Sequence, residues 1–278
     1  MKIALIGLGA IGASFAMGLK AAGYTELYGV DIDPSTIDIA EKEHIIKKGH
    51  TDAQLLLPDM DVVILSLYPN QIAPFVEKYS ACLKEGVILT DVTGVKTTII
   101  EQVTAILPAT ADFVFAHPMR GSEKKGIVGA DHKRFAGANA LITPIPSNSE
   151  DHLNLIEKLY RDIGFEMITR VSPSAHDDQI AYVSQLMHAL SVAVVNSEQA
   201  SEETLTFAGN SFKELTRIAD INGDLWSELF LNNRSALLHS IDAFEDELNK
   251  LKQTLVENDE ETLKSLFKQA RTQRTDWY

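Results

Sequence analysis

Cysteine and positive charge are both scarce in this sequence. One of its 278 residues is a cysteine, Cys82, which excludes an intrachain disulfide and is typical of a reducing compartment. The 25 Lys and Arg residues are outnumbered by 39 Asp and Glu, which gives a formal net charge of −14. Such a surface repels nucleic acid and anionic membranes, so we expect neither as a partner.

Long hydrophobic runs are also missing. No apolar stretch approaches the roughly 20 residues that a membrane span requires. The apolar run after Lys2 contains several glycines and lacks the small-residue cleavage site of a signal peptide. We therefore expect a cytoplasmic protein. An anionic substrate would need a local cluster of cations against the acidic charge of the whole chain.

Short runs rich in Val and Ile alternate with helical patterns in the first part of the chain, which indicates a parallel sheet covered on both faces. The predicted strands cover 2–6, 26–30, 62–67, 87–92, 113–116, 138–143 and 166–170. The later segments 173–198, 205–219, 225–257 and 260–274 have helical patterns only. Ser172 and Pro173 form a typical helix start. The sequence thus predicts an α/β fold, with a Rossmann-type doubly wound sheet over 1–171 and an all-helical substrate-binding and dimerisation domain over 172–278.

Gly7, Gly9 and Gly12 form the pattern G-x-G-x-x-G between a predicted strand and a predicted helix. The pattern alone is weak, but in this context it binds dinucleotides. The first glycine allows a tight turn, the second a close approach of the backbone to the pyrophosphate, and the third close packing of helix and strand. With Ala10 and Ile11 they would present the free N–H groups of the helix start to the phosphates.

Asp31 ends the second predicted strand, near the offset of roughly 20 residues at which an acid binds the ribose hydroxyls of NAD. Its carboxylate would repel the 2′-phosphate of NADP, and no arginine follows nearby to bind that phosphate. The sequence therefore favours NAD as the cofactor. Asp33 is the alternative acid, although it precedes Pro34 and could equally cap the next helix.

His117 directly follows the predicted strand over 113–116. Ligands of open α/β sheets bind beyond the carboxyl ends of the strands, so this side chain is expected to face the cofactor. A neutral imidazole there could take a proton from a substrate hydroxyl, and we predict His117 as the general base. The alternative is a loop histidine bonded to backbone. No residues have the spacing of a metal site, and we predict none.

Four segments of the chain form a distinctive series. They are Thr-Asp-Val-Thr-Gly-Val-Lys at 90–96, His-Pro-Met-Arg-Gly at 117–121, Ser-Gln-Leu-Met-His at 184–188 and Phe-Lys-Glu-Leu-Thr-Arg-Ile-Ala at 212–219. These segments resemble those of the prephenate and arogenate dehydrogenase family. Their order and spacing hold over nearly the whole chain. The resemblance implies an NAD-dependent oxidative decarboxylation of prephenate on the route to tyrosine.

The resemblance also implies roles for single residues. His117 would hydrogen-bond the ring hydroxyl and assist its oxidation, Arg217 would bind a substrate carboxylate, and His188 would lie near the substrate side chain. The further residues that we assign to the site are Ser122 and Glu123 for the substrate and Thr93 for the cofactor.

Three departures from the family pattern affect the predicted site. Gly94 stands where many members have a serine that supports the catalytic histidine, and Thr93 is an alternative support of different geometry. Gln185 and Met187 replace the first histidine and the proline of the family's S-H-L-P-H segment, and we assign them no chemistry. Arg120 replaces a small or aromatic residue and contacts either an anionic substrate or only the surface.

The helix predicted around His188 has a polar stripe on an otherwise apolar surface. The stripe joins residues at spacings of three and four along one helix face, namely Asp177, Ala181, Ser184, His188 and Ser191. A stripe of this kind faces either solvent or a binding site. The apolar content of the rest of the helix favours a site.

Several alternatives remain open at this point. Within the family, His188 favours prephenate over arogenate, because some arogenate-specific members lack a histidine there. A β-hydroxyacid dehydrogenase would rely on a lysine in the helical domain, and an NAD-sensing regulator would lack His117 and Arg217. Apolar positions along 225–257 wrap more than one helix face, which predicts a homodimer formed through the helical domain.

Overall fold

The computed structural model describes residues 1–121, 125–197 and 202–277. Ser122 and Glu123, two of the predicted substrate-binding residues, lie outside these ranges. Within them the chain forms a single eight-stranded sheet, built from short and mostly buried runs. The strands are β1 (Ile3–Ile6), β2 (Leu27–Val30), β3 (Lys48–His50), β4 (Val62–Leu65), β5 (Ile88–Asp91), β6 (Asp112–Pro118), β7 (Asn139–Thr143) and β8 (Met167–Arg170).

The strand order is β3-β2-β1-β4-β5-β6-β7-β8, and the first six strands are parallel. The order reverses between β1 and β4, which is where open sheets of this kind bind ligands. We expected a parallel sheet, but β7 pairs antiparallel with β6, and β8 runs parallel to β7. The described part of the β6–β7 connection contains only short 3-10 turns, and a parallel crossover needs a longer connection, usually a helix.

The segment that forms β3 was missed in the sequence, because Lys48, Gly49 and His50 include none of the strand-favouring residues Val, Ile, Thr, Phe, Tyr and Trp. Its backbone pairs with residues 28–30 of β2 all the same. Pairing with the neighbouring strand therefore determines the extended conformation of this segment, although its residues do not favour a strand.

Five helices cover the two faces of the sheet. They are α1 (Ala10–Ala21), α2 (Pro34–Lys42), α3 (Pro69–Tyr79), α4 (Thr97–Thr104) and α5 (Glu150–Asp162). On one face Phe15 of α1 packs edge-on against Phe135 and Tyr160, with ring centroids 5.0 and 5.4 Å away. On the other face the core includes Ile72 of α3 and Ile99 of α4, both fully buried. These two layers hold the loops at the carboxyl ends of the strands in place.

Beyond β8 the described chain is helical. Its helices are α6 (Pro173–Ile180), α7 (Leu186–Asn196), α8 (Glu202–Thr206), α9 (Asn210–Arg217), α10 (Gly223–Asn232), α11 (Arg234–Glu257) and α12 (Glu260–Trp277). Ser172 caps α6 by accepting a hydrogen bond from the Ala175 N–H, with Pro173 in the first turn, as the sequence indicates. No described helix combines the length and the apolar character that a membrane crossing would require.

Three predicted helices are interrupted. The one predicted over 205–219 is divided between α8 and α9. A π-helical turn over Ala181–Gln185 separates α6 from α7. The predicted helix over 225–257 is two helices, because Asn233 leaves helical geometry with φ −121° and ψ 28°. The side-chain amide of Asn233 donates to the Asp177 carbonyl and to Gln185 Oε1, at 2.8 and 2.9 Å. Tertiary hydrogen bonds therefore decide where α10 ends.

Hydrogen bonds join the helical part to the sheet beside the carboxyl ends of the strands. Asn222 donates to the Tyr68 hydroxyl at 2.6 Å, and Glu228 accepts from the Asn70 N–H at 2.9 Å. Leu229 of α10 is 8% exposed and belongs to the core of the sheet. A cleft is left between the two parts, next to this contact.

We predict that Gly12→Ala lowers the free energy of unfolding by about 1–3 kcal/mol, the usual cost of overpacking. A Cβ at Gly12 would lie 1.9 Å from the Gly7 carbonyl oxygen, so β1 and α1 would have to separate. Gly9→Ala is the matched control, because a Cβ there has nothing within 4 Å. Urea unfolding measures both variants, and equal stability of the two would contradict this account of the packing.

Candidate active site

The cleft between the sheet and the helical part has a volume of about 940 Å³. One wall is the glycine-rich loop after β1 together with the segments that follow β4 and β5. The floor is the end of β6, and the other wall comes from α7 and α10 with the turn before α10. The cleft thus lies at the reversal of strand order, where the fold leads one to look for a ligand.

The glycine-rich loop has the geometry of a dinucleotide site. Gly7 has φ +87°, and a Cβ there would lie 2.4 Å from the Ser66 carbonyl oxygen. Gly9, Ala10 and Ile11 line the cleft, and no side chain caps the start of α1. The first N–H groups of the helix are therefore left for a ligand, and the helix dipole favours an anion at this point.

Asp31 lies at the end of β2 beside this loop. Its Oδ2 accepts a hydrogen bond from the Leu8 N–H at 2.8 Å, and its Oδ1 accepts from the Asp33 N–H at 3.0 Å. Asp33 caps α2 by accepting from the Ser35 N–H at 2.9 Å. Asp33 is thus a helix cap, whereas Asp31 is bound to the glycine-rich loop. The loop and Asp31 together fit an adenine dinucleotide.

A buried ion pair lies beneath the cleft. Lys96 Nζ is 2.6 Å from Asp91 Oδ2, and neither side chain is exposed. Lys96 also donates to the Thr93 carbonyl at 2.8 Å, while Asp91 Oδ1 accepts from the Ala116 N–H at 3.1 Å. Burial lowers the pKa of Lys96, and the Asp91 carboxylate opposes this effect. The pair fixes the loop after β5 against β6.

Thr93 lines the cleft, but its hydroxyl is engaged with the ion pair. It contacts the Asp91 carboxylate, the Val95 carbonyl at 3.2 Å and Lys96 Nζ at 2.9 Å. None of these partners is His117, so this hydroxyl does not replace the missing serine. Gly94 is the residue beside the histidine, since a Cβ there would lie 3.5 Å from His117 Nε2.

His117 lies within β6, which extends to Pro118, and not just beyond the strand as the sequence indicated. It pairs with Leu141 of the antiparallel strand β7 and lines the cleft. Burial lowers the pKa of His117 well below 6.5, and the neighbouring His176 and Lys96 act in the same direction. The imidazole is therefore neutral at neutral pH and can accept a proton.

His176 and Asp177 complete the surroundings of His117, and our assignment of site residues from the sequence included neither. His176 Nε2 is 3.0 Å from His117 Nδ1, and His176 Nδ1 is 2.7 Å from Asp177 Oδ1. Both side chains are almost fully buried. In the sequence Asp177 was assigned only to the polar stripe, and His176 lies at the start of a helix far from the other motifs, so no signal connected it with His117.

The predicted polar stripe reaches the cleft only in part. Ser184 and His188 line the cleft, whereas Ser191 is buried and donates to the Leu215 carbonyl at 2.8 Å. The π-helical turn before α7 adds a residue to the helix and breaks the regular spacing. Asp177 therefore faces the loop after β5 rather than His188.

His188 is held in a defined orientation. Its ring stacks on Trp226 with centroids 3.6 Å apart and an interplanar angle of 29°. Its Nδ1 lies 2.9 Å from the Ser184 carbonyl oxygen, which can only accept, so Nδ1 carries a proton. Gln185, to which we assigned no chemistry, is buried and donates to the Leu229 carbonyl at 3.0 Å, so it joins the two helices that frame the cleft.

Charged side chains also line the cleft. Arg120, Lys125 and Arg134 contribute positive charge, and Asp220 contributes a carboxylate. Arg134 was missed in the sequence; it donates to the Asp131 and Gly129 carbonyls at 3.0 and 3.3 Å.

The carboxylate-binding residue that the family pattern implies, Arg217, is not among the residues that line the cleft. Arg217 is exposed at the end of α9, and the next residue, Ile218, lines the cleft in its place. In the described residues no three or more His, Cys, Asp or Glu side chains are grouped so as to hold a metal ion.

Comparison with known families identifies both parts of the chain. Residues 15–169 match the model of the prephenate dehydrogenase nucleotide-binding domain, and residues 172–269 match that of the prephenate dehydrogenase dimerization domain. The chain belongs to the prephenate dehydrogenase family. Our predictions of the family, of the Rossmann-type fold with a helical domain and of an NAD-dependent oxidoreductase are confirmed. The β-hydroxyacid dehydrogenase alternative is not supported.

Three relatives illustrate the similarity. The prephenate dehydrogenase of Bacillus subtilis (strain 168) is 26% identical over 98% of this chain and 75% of its own length. The A. aeolicus prephenate dehydrogenase, solved with hydroxyphenyl propionate and NAD+, is 30% identical with a TM-score of 0.91, over 100% of this chain and 99% of that one. Synechocystis arogenate dehydrogenase is 27% identical with a TM-score of 0.84 and covers 100% of both chains. Both substrates thus occur among the relatives.

We predict that His117 titrates with a midpoint below pH 6.5, because burial and two neighbouring basic groups disfavour its protonated form. The folded-state pKa is then lower than that of an unfolded histidine, so stability is lost as the pH falls below about 6.5. NMR titration of the histidine Cε1–H signals, assigned with His117→Asn, measures this. A midpoint at or above 6.5 would contradict the proposed environment.

Proposed function

We propose that the protein catalyses the NAD-dependent oxidative decarboxylation of prephenate to 4-hydroxyphenylpyruvate. One observation carries the proposal: a neutral histidine, His117, lines the same cleft as the glycine-rich loop of a nucleotide-binding domain. A base and a hydride acceptor that share one cleft are what the oxidation of a hydroxyl-bearing carbon requires.

Binding of the cofactor is assigned to the loop after β1. Gly7, Gly9 and Gly12 would leave room for the pyrophosphate, with the N–H groups at Ala10 and Ile11 directed towards it. Asp31 would bind the ribose hydroxyls and disfavour the extra phosphate of NADP. When bound, the nicotinamide would supply the hydride acceptor. Thr93, on the loop after β5, lines the same cleft and would border the nicotinamide site.

His117 acts on the other reactant. It takes the proton of the ring hydroxyl at Nε2 while the carbinol carbon loses hydride. The developing ketone draws the electrons of the C–CO2 bond through the ring double bonds from the opposite ring carbon, carbon dioxide departs, and the ring becomes aromatic. The low pKa of His117 keeps this nitrogen free of a proton before the reaction.

The cations at the cleft support an anionic substrate. Prephenate carries two carboxylates, and Arg120, Lys125 and Arg134 supply positive charge in a chain with a net charge of −14. Arg217 is proposed to bind a carboxylate by its family position, from the end of α9 next to the cleft. His188 borders the substrate side chain from α7, and Ser122 with Glu123 stays a proposal on sequence grounds.

Arogenate is the second candidate substrate, and Asp220 favours it. Arogenate carries an ammonium group where prephenate has a ketone, and a carboxylate that lines the cleft could pair with that group. The arogenate dehydrogenase among the relatives shows that the family includes this activity.

A homodimer formed through the helical part is also proposed. The second family model describes a dimerization domain, and large apolar side chains are exposed on the described helices. They include Leu231 at 71%, Leu255 at 68% and Phe267 at 59% exposure. Pairing of two helical parts would remove such side chains from water, and twofold symmetry is the commonest arrangement.

The proposed function is tested by spectrophotometric assay of NAD and NADP reduction, with prephenate and with arogenate in parallel. We expect the highest kcat/KM for the pair of NAD and prephenate. Faster turnover of arogenate would replace prephenate with the second candidate. No reduction with either compound would overturn the proposed activity.

We predict that Arg217→Ala raises KM for prephenate by roughly 10- to 100-fold, since hydrogen bonds to charged groups contribute about 1.5–3 kcal/mol. KM for NAD should stay unchanged, and Arg217→Lys should recover only part of the loss, because lysine lacks the planar fork. Arg120→Ala is the matched variant at the cleft itself. A larger effect of Arg120→Ala than of Arg217→Ala would move the carboxylate site to the loop after β6.

A further inference from the structure

His117 is linked to the helical part of the chain by a row of side chains. Its Nδ1 lies 3.0 Å from His176 Nε2, and His176 Nδ1 lies 2.7 Å from Asp177 Oδ1. The His176 side chain is not exposed at all, and that of Asp177 is 6% exposed. The two ring nitrogens of His176 are therefore shielded from water, and their hydrogen bonds are made within the row.

The carboxylate at the end of the row determines the direction of every bond in it. Asp177 Oδ1 accepts from the Lys96 N–H at 2.9 Å, and Oδ2 accepts from the Thr97 N–H at 2.8 Å. Hydrogen bonds from His176 and Thr97 outweigh the opposing effect of burial and lower the pKa of Asp177. An ionised carboxylate only accepts, so His176 Nδ1 must carry a proton and donate it to Asp177.

The proton on His176 Nδ1 fixes the state of the next ring. Burial lowers the pKa of His176, despite the nearby Asp177 carboxylate, so the ring is neutral and its Nε2 has a lone pair. The contact at 3.0 Å then requires His117 Nδ1 to be the donor. A neutral His117 that is protonated at Nδ1 has its lone pair on Nε2, the atom nearest to Gly94 in the cleft.

The charged groups around the row favour this neutral state. Lys96 lies on the loop after β5 and lowers the pKa of both histidines, whereas Asp91 and Asp177 raise that of His176. With burial included, the pKa of both histidines is lowered. Neither ring therefore holds a second proton that would reverse the hydrogen bonds.

We propose that His176, backed by Asp177, is the positioning residue that fixes His117 in its Nδ1-protonated tautomer and so presents the Nε2 lone pair to the substrate. His176 contacts the ring of His117 at Nδ1, whereas Gly94 lies near Nε2. Gly94 is the position at which the family pattern has a supporting serine. The proposal depends on the proposed function only in naming the substrate hydroxyl as the source of the proton.

The row also has a role once the proton has moved. The O–H bond of the substrate breaks, an N–H bond forms at His117 Nε2, and the ring becomes a cation. Its Nδ1–H continues to donate to His176 Nε2, and the charge of the carboxylate of Asp177 lies at the far end of the same row. The orientation needed before the reaction is therefore also the one in which the cation keeps a hydrogen-bond acceptor, which offsets part of the cost of its burial.

The tautomer is measured directly by long-range ¹H–¹⁵N NMR of the protein without cofactor or substrate, labelled with ¹⁵N-histidine and assigned with His117→Asn and His176→Asn. At neutral pH we expect His117 and His176 each to have a protonated Nδ1 and an unprotonated Nε2. A proton on His117 Nε2 would overturn the proposal, whatever the enzyme's substrate.

Two substitutions at His176 separate its two hydrogen bonds. In His176→Gln the amide oxygen lies near the former Nε2 and can accept from His117, whereas in His176→Asn the amide lies near the former Nδ1 and retains only the bond to Asp177. We expect His176→Asn to lower kcat by about 10- to 100-fold, less than the 10²–10⁴ of a lost general base, with KM for NAD unchanged. His176→Gln should retain several times more activity.

The matched control is His152→Gln, which removes a histidine–aspartate contact between α5 and β6, His152 Nδ1 to Asp112 Oδ2 at 2.7 Å. It lies away from the cleft and should leave kcat unchanged. Equal losses in His176→Gln and His176→Asn would reject the positioning role. Failure of the proposed function looks different: His117→Asn would then retain full turnover, or no dehydrogenation would occur, while the NMR result would still stand.

Discussion

The buried ion pair of Asp91 and Lys96 is the interaction on which the site depends. Asp91 is the last residue of β5, and Lys96 lies in the loop that follows this strand. Both side chains are completely buried. Removing one partner of such a pair typically costs about 3–5 kcal/mol, because the other charge is left without compensation. Asp91 holds the backbone of β6 at Ala116, and Lys96 holds the loop at Thr93. The distance between Gly94 and His117 follows from these contacts.

The same loop connects the sheet to the helical part. The backbone N–H groups of Lys96 and Thr97 bind the carboxylate of Asp177, so the start of α4 is the anchor for the start of the helical part. Asn233 and Gln185 continue these contacts into α10 and α11. Because these groups are buried, each hydrogen bond left unmade would cost the desolvation of its partners. These buried polar groups thus form one continuous hydrogen-bond network, in which each group would lack a partner if its bond were broken.

Local sequence patterns predicted the parts of this structure that depend on local chemistry. The glycines after β1, the cap at Ser172 and the Val- and Ile-rich strands belong to that class. The patterns failed where a distant partner decides the outcome. β3 forms because its backbone pairs with β2. The helix predicted over 225–257 ends at Asn233 because two distant acceptors bind its amide, and β7 reverses direction because the described part of its connection to β6 contains only short 3-10 turns. His176 was missed for the same reason: it is separated from His117 by 59 positions, and only the fold brings the two rings together.

One further consequence comes from the distribution of these residues along the chain. The nitrogen proposed to receive the proton belongs to β6, whereas the ring and the carboxylate behind it belong to α6, beyond the end of the sheet. The proposed nucleotide site lies on the sheet alone, but the contacts that orient the proposed catalytic base need both parts of the chain. A condition that separated the two parts would therefore remove the contacts that orient His117 and leave the glycine-rich loop in place.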